Sequence, residues 1–146
     1  MADWDKELQS FRDIVREAGP NNGFGDIVKI AAPPPIGFRA PYLAKGAGLY
    51  PALRSHGYRY DTSGVGRADE WPERIDGIWR FNLAMLRIQG SGRAILSMDY
   101  NFFFAHSRAV DDPRRFALAR EQMLQTYLHY FRTSYTGNRA PLHIGH

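Results

Sequence analysis

Gly37-Phe38-Arg39-Ala40-Pro41-Tyr42, then Leu49-Tyr50-Pro51-Ala52-Leu53-Arg54-Ser55-His56, then Gly57-Tyr58-Arg59-Tyr60-Asp61-Thr62-Ser63, follow one another with little chain between them. The first segment ends an apolar run on an arginine, a proline of fixed φ and a tyrosine. The second places Leu49, Ala52, Leu53 and His56 on one helical face, and the third reads as a strand over residues 58–62 that carries Asp61. Strand, helix and strand in this order are the ingredients of an α/β layer, and ligands of such layers gather at the carboxyl ends of the strands. Arg39, Tyr42 and Asp61 are therefore expected on one rim. Gly57 suits the C′ position of the helix. His56 reads as a capping or packing residue in preference to a ligand, because cations favour helix C-termini.

Toward the N-terminus, Trp4, Leu8, Phe11, Val15 and Ala18 recur at spacings of three and four, with Asp3 as a candidate N-cap and Gly19-Pro20 as a stop, so an amphipathic helix is expected over 4–18. Residues 21–25 read as a turn and 26–32 as a short apolar run. Pro33-Pro34-Pro35 deny ladder hydrogen bonds, which puts the start of the next strand after them, at Ile36.

Toward the C-terminus, 63–74 reads as a loop with Gly64, Gly66 and Pro72. A strand is expected over 78–83, with Trp79, Phe81 and Leu83 on its apolar face. Gly90 to Gly92 mark a turn, and 93–100 holds Ala94-Ile95-Leu96, continuous enough for a buried strand that ends near Asp99. Phe102-Phe103-Phe104 cannot all face one core. Either they seal a helix against the sheet or, Phe102 foremost, they line a cleft in which pyranose faces stack on aromatic rings. Asp112 at N-cap, Pro113 at N1 and Gly137 after the end frame a helix over 113–135, with Phe116, Ala119, Met123, Tyr127 and Tyr130 in one line, Leu124, Leu128 and Phe131 beside it, and His129 toward solvent. Residues 141–146 read as a closing strand.

With 146 residues, 44% of them hydrophobic and 14% aromatic, the chain has the material for one domain core. Its net charge of +4 comes from 19 basic residues dispersed among 15 acidic ones, without the run or stripe that nucleic-acid binding uses, so nucleic acid is not an expected partner. The absence of cysteine excludes disulfides and thiolate zinc sites and leaves the redox compartment open. No stretch reaches the roughly 20 apolar residues of a membrane span, and residues 1–7 are too polar for the opening of a signal peptide.

Arg39-Ala40-Pro41-Tyr42 before a helix, Gly57-Tyr58-Arg59-Tyr60-Asp61-Thr62-Ser63, and the closing Leu142-His143-Ile144-Gly145-His146 resemble, in order, the later motifs of NodB-type polysaccharide deacetylases, carbohydrate esterase family four. The resemblance covers nearly the whole chain. It implies an α/β fold, a partial, distorted (β/α) barrel lacking its first strands, formed by a single partial domain over 1–146. It further implies a hydrolase of carbohydrate metabolism acting on an acetylated polysaccharide of the cell wall, and family members are often exported to the cell envelope.

The family's paired-aspartate strand, T-F-D-D, and its H-[ST]-x-x-H segment are absent, and these supply metal and base. No residue of this chain is therefore assigned as a metal ligand, although a divalent ion such as zinc is expected for the complete family domain. His143 and His146 form a separate pair three residues apart. By the resemblance, Arg39 orients the aspartate base with its planar fork, the alternative being a salt bridge to a local acid. Tyr42 lends a backbone N–H to the oxyanion while Pro41 fixes the turn. His146 protonates the departing amine and is oriented by either Asp61 or Asp99; its alternative is an exposed terminal imidazole. Pro41, Tyr42, Trp79 and Phe102 are the candidate substrate contacts. Lacking metal and base, the chain alone is expected to be inactive, and an open sheet edge is expected to allow self-association. The other reading is a metal-free carbohydrate-binding or structural module derived from that fold.

Overall fold

The computed structural model describes residues 3–23 and 34–145; the apolar run at 26–32, Pro33 and His146 lie outside the described residues. Five α-helices, α1 (Trp4–Arg16), α2 (Ala18–Asn21), α3 (Leu49–Ser55), α4 (Asp99–Ser107) and α5 (Pro113–Thr136), and a 3-10 turn (Pro41–Leu43) are described. With them go seven short strands: β1 (Gly37–Phe38), β2 (Tyr60–Asp61), β3 (Val65–Arg67), β4 (Glu73–Ile75), β5 (Ile78–Arg80), β6 (Leu83–Arg87) and β7 (Ala94–Leu96). The architecture is mixed α/β with open sheets, in the orders β1-β2-β5-β4 and β3-β6-β7, and among the described residues no sheet closes into a barrel. No described helix is long and apolar enough to cross a membrane. The chain divides into two compact units, Met1–Asp61 with Arg74–Trp79, and Thr62–Glu73 with Arg80–His146.

In the first unit the Asp3 carboxylate caps α1 by accepting from the Lys6 amide at 3.2 Å. The expected stripe is buried only in its first half: Trp4 and Leu8 pack inward, whereas Phe11 and Val15 stay exposed. Gly19-Pro20 does not stop the chain's helical course but lies within α2, where proline is tolerated because a first turn requires no amide from it. The core joins Trp4 and Leu8 to Ala40, Leu49, Ala52, Leu53, Tyr58 and Ile78. Leu49 and Leu53, 1% and 0% exposed, contribute roughly 2 kcal/mol each by burial. Asp76-Gly77 turn β4 into β5 with φ of 49° and 85°, the left-handed geometry that two-residue hairpins favour.

The second unit departs further from expectation. The supposed loop at 63–74 contains β3, paired parallel with β6, and the strand expected over 78–83 breaks after Arg80, its second part belonging to another sheet. Its faces are also reversed at the start, since Ile78 is buried and Trp79 is 46% exposed. The turn at Gly90 to Gly92 joins β6 and β7 as an antiparallel pair, Leu86 opposite Ile95. Asp99 does not end a strand; it opens α4. Helix α5 has its expected cap, Asp112 accepting from the Arg114 amide at 3.2 Å. It packs through Met123, Tyr127 and Tyr130 and the buried Thr126 and Ser134, leaving Phe116, Leu124 and Phe131 exposed. Residues 141–145 form no strand beyond an isolated parallel bridge of Gly145 to Met98.

Candidate functional site

Strands β1 and β2 pair in parallel with Gly37 opposite Tyr60 and Phe38 opposite Asp61, α3 crossing between them. Arg39 therefore begins just past the carboxyl end of β1, level with the end of β2 where Asp61 sits. The Tyr60 ring lies over Gly37, where a Cβ would come within 2.1 Å of it, so any larger residue there would displace that ring. Arg39 is half-buried and Ala40 is buried behind it. Pro41 then starts the 3-10 turn, in which Tyr42 and Leu43 both adopt φ of 54°. Two consecutive non-glycine residues in the left-handed region are costly, and such strain gathers at functional sites. The Tyr42 side chain is wholly exposed, and its amide donates to no acceptor among the described residues.

The rim opens on a cleft of about 640 Å³ lined by Arg39, Pro41 and Tyr42 and walled by Trp4, Phe11, Phe38 and Tyr58, with Glu7 adding a carboxylate. Trp4 meets Phe38 edge-on with ring centroids 6.2 Å apart, and Phe38 meets Tyr58 at 5.8 Å. Burial raises the Tyr58 hydroxyl above the usual phenol pKa, an effect that the Arg12 guanidinium partly offsets. Asp61 is fully buried and accepts from the Tyr50 hydroxyl at 3.2 Å. The wall supplied by α1 and the partner supplied by Tyr50 were not visible in the motifs. Helical periodicity from Leu49 selects Ala52, Leu53 and His56 and passes over Tyr50, which lies on a neighbouring face.

Other candidates lie elsewhere. Trp79 does not line this cleft; its ring is covered by the Arg74 guanidinium at 6.0 Å. His56 is structural, as the sequence suggested: its Nε2 lies 3.2 Å from Asp5 and its carbonyl accepts from Arg12. Asp99 belongs to the second unit, where its amide donates to the Gly145 carbonyl at 3.3 Å and its carboxylate accepts from the Tyr100 amide at 2.6 Å. Asp61 and Asp99 thus fall in different units, and His146, for which both were candidate partners, lies outside the described residues. Phe102 is only 2% exposed, packed on His106 and Tyr127, with centroids 6.2 and 5.2 Å away. It packs as a core residue and also contributes to the lining of a cleft between α4 and α5. The Tyr127 hydroxyl has no hydrogen-bond partner among the described residues, and burial, aided by the Asp99 charge, pushes its pKa up to about 12.

A divalent ion needs three or more convergent ligands. No such group of His, Cys, Asp or Glu occurs among the described residues. The His106 ring is already engaged at both nitrogens, by the Phe102 carbonyl at 2.7 Å and Gln122 at 2.8 Å, and His129 stands exposed on α5. The described residues do not fit a metal centre. No protein-family model, no curated protein and no solved structure matches the chain.

Proposed function

We infer that this chain contributes the orienting part of a polysaccharide deacetylase site, within a partial, distorted barrel of the NodB type. The observation that carries the reading is the parallel register of β1 and β2, which brings Arg39 and Asp61 to the same carboxyl strand ends, the place where α/β layers bind and transform ligands. Two features of Tyr42 add support: its left-handed backbone and its uncommitted amide, which together suit a donor to a developing oxyanion. Arg39 supplies a fork able to hold a carboxylate in two hydrogen bonds. Neither group generates a nucleophile. Hydrolysis of an acetamide or acetyl ester would require an activated water from residues other than those described, since the described residues hold no ligand set for a metal.

Such a site would act on acetylated polysaccharide, its aromatic walls meeting the apolar faces of sugar rings. The test is acetate release from acetylated chitooligosaccharide and acetylated xylan, which covers N- and O-linked acetyl groups. The chain by itself should release none. Joined to a segment carrying the missing metal and base motifs, it should release acetate in a manner that depends on Arg39.

A further inference from the structure

Helix α5 carries two apolar faces and buries one. Met123, Tyr127 and Tyr130 pack on the core of the second unit, and Thr126 and Ser134 are buried on the same side. A second line, Leu124, Leu128, Phe131 and Tyr135, runs at spacings of four, three and four, roughly a third of the way round the helix from the first. Leu124, Phe131 and Tyr135 are 47%, 56% and 63% exposed, and Leu128 belongs to neither core cluster. Alternating threes and fours keep one helix facing another along their length. Part of this line is already ordered: the Phe131 and Tyr135 rings stack with centroids 6.0 Å apart, which lowers the entropy lost when a partner docks.

The charges at the two ends of the line identify the occupant. Glu121, three residues before Leu124, accepts from the Gln125 side-chain amide at 2.8 Å and has no cationic partner among the described residues. At the other end the Arg139 guanidinium lies 5.8 Å over the Tyr135 ring and meets no carboxylate among them. Arg120, beside Glu121 in the chain, lines the cleft against α4 instead. The line is therefore acidic at its start and basic at its end, so it complements itself when reversed. Setting Leu128 of one copy opposite Phe131 of another, antiparallel, also sets Leu124 opposite Tyr135 and brings Glu121 to Arg139 at both ends. A parallel pair would oppose Glu121 to Glu121 and Arg139 to Arg139, and like charges repel. The antiparallel pair also aligns the helix dipoles favourably.

We propose that α5 docks antiparallel on α5 of a second copy of this chain, through Leu124, Leu128, Phe131 and Tyr135, with Glu121–Arg139 pairs closing both ends. The surface is helical, lies in the second unit, and owes nothing to the Arg39 rim, to an open sheet edge or to the function proposed above. The line is shorter than the roughly three to four heptads of a sustained coiled coil, so the dimer is a reversible one, with a Kd of about 10–100 µM. Sedimentation equilibrium of the 146-residue chain between about 5 and 500 µM brackets that range and should show monomer passing to dimer. Phe131→Glu, which puts a charge in the seam, should leave the chain monomeric throughout; Phe104→Ser, on α4, should change nothing. Glu121→Arg and Arg139→Glu alter exposed charges without touching either core, so they remain informative if Phe131→Glu disturbs the fold. Each alone should weaken the dimer about tenfold, because an attraction becomes a repulsion at both ends. Both together in one chain should restore native affinity, which a parallel pair does not predict. A native chain that stays monomeric up to about 500 µM would overturn the proposal, the exposed line then belonging to some other partner. A dimer indifferent to Phe131→Glu, or one that the double charge exchange fails to restore, would overturn it equally.

Discussion

Ser97→Ala should destabilise the second unit by more than its size suggests. The Ser97 hydroxyl is fully buried, accepts from the Ala84 amide at 2.9 Å and donates to the His143 carbonyl at 2.7 Å. It thereby ties β6 to the closing segment, whose next contacts are the Gly145 amide on the Ser97 carbonyl at 2.7 Å and the Asp99 amide on Gly145. Alanine leaves little cavity but strands a buried donor and a partly buried acceptor. A net hydrogen bond contributes about 1 kcal/mol and an unsatisfied buried group costs about 1–3 kcal/mol, so the expected loss is about 2–4 kcal/mol. Urea unfolding followed by circular dichroism should show a lower midpoint with an unchanged slope, the signature of lost stability without a changed denatured state. Amide exchange at Gly145 should accelerate at the same time. A loss below about 0.5 kcal/mol, in the range of ordinary surface substitutions, would show that Ser97 does not hold the closing segment as described.

Gly57→Ala should cost about 1 kcal/mol, because Gly57 ends α3 at φ of 78° with nothing near enough to clash, so the effect is purely conformational; an unchanged midpoint would contradict the described cap. Tyr127→Phe removes a buried hydroxyl that has no partner among the described residues and should leave stability equal or higher, as thermal unfolding would show. In the native chain the Tyr127 phenol is held to about 12. The folded state therefore binds the proton more tightly than the unfolded one, and this contribution is fully present below pH 10 and is lost as pH rises toward 12. Ultraviolet titration should find a phenol ionising late that Tyr127→Phe removes; the absence of such a group would refute the assignment.

What the sequence disclosed were the positions where one residue dictates backbone geometry. Asp3 and Asp112 were legible as caps, Pro113 as a helix start, Gly57 as a helix end and Gly90 to Gly92 as a turn, because capping and positive φ are local. The parallel pairing that sets Arg39 and Asp61 at neighbouring strand ends was legible for a related reason, since alternating strand and helix constrains which ends meet; the shared rim was not, because Asp61 is fully buried and does not line the cleft at Arg39. Asp76-Gly77 carried an equally local hairpin signal that went unread. Burial faces were less accessible. Strand β3, Val65-Gly66-Arg67, has no buried residue and hence no alternation to detect. The face of α5 is set by small polar residues, Thr126 bonded to the Gln89 amide at 3.0 Å and to the Gln122 carbonyl at 2.6 Å, whereas counting apolar residues favoured Phe116 and Leu124. Trp79 was assigned to the apolar face by alternation with Phe81 and Leu83, but the strand breaks after Arg80 and Ile78 takes the inward position. The aromatic wall at Arg39 comes from Trp4 and Phe11 on a distant helix, a tertiary juxtaposition that no spacing encodes.

The claim that Arg39 stands at the working end of a deacetylase site is tested most directly by one comparison. The chain, joined in frame to a segment bearing the family's metal and base motifs and verified to bind zinc, would be assayed for acetate release with Arg39 intact and with Arg39→Ala. Arg39 sits past the end of β1 and outside the apolar core, and the comparison is made between proteins of matched thermal stability and zinc content. If Arg39 orients the base, acetate release should fall about 100-fold, the scale of a misplaced catalytic group. Zinc-dependent release that proceeds equally well in Arg39→Ala would contradict the account.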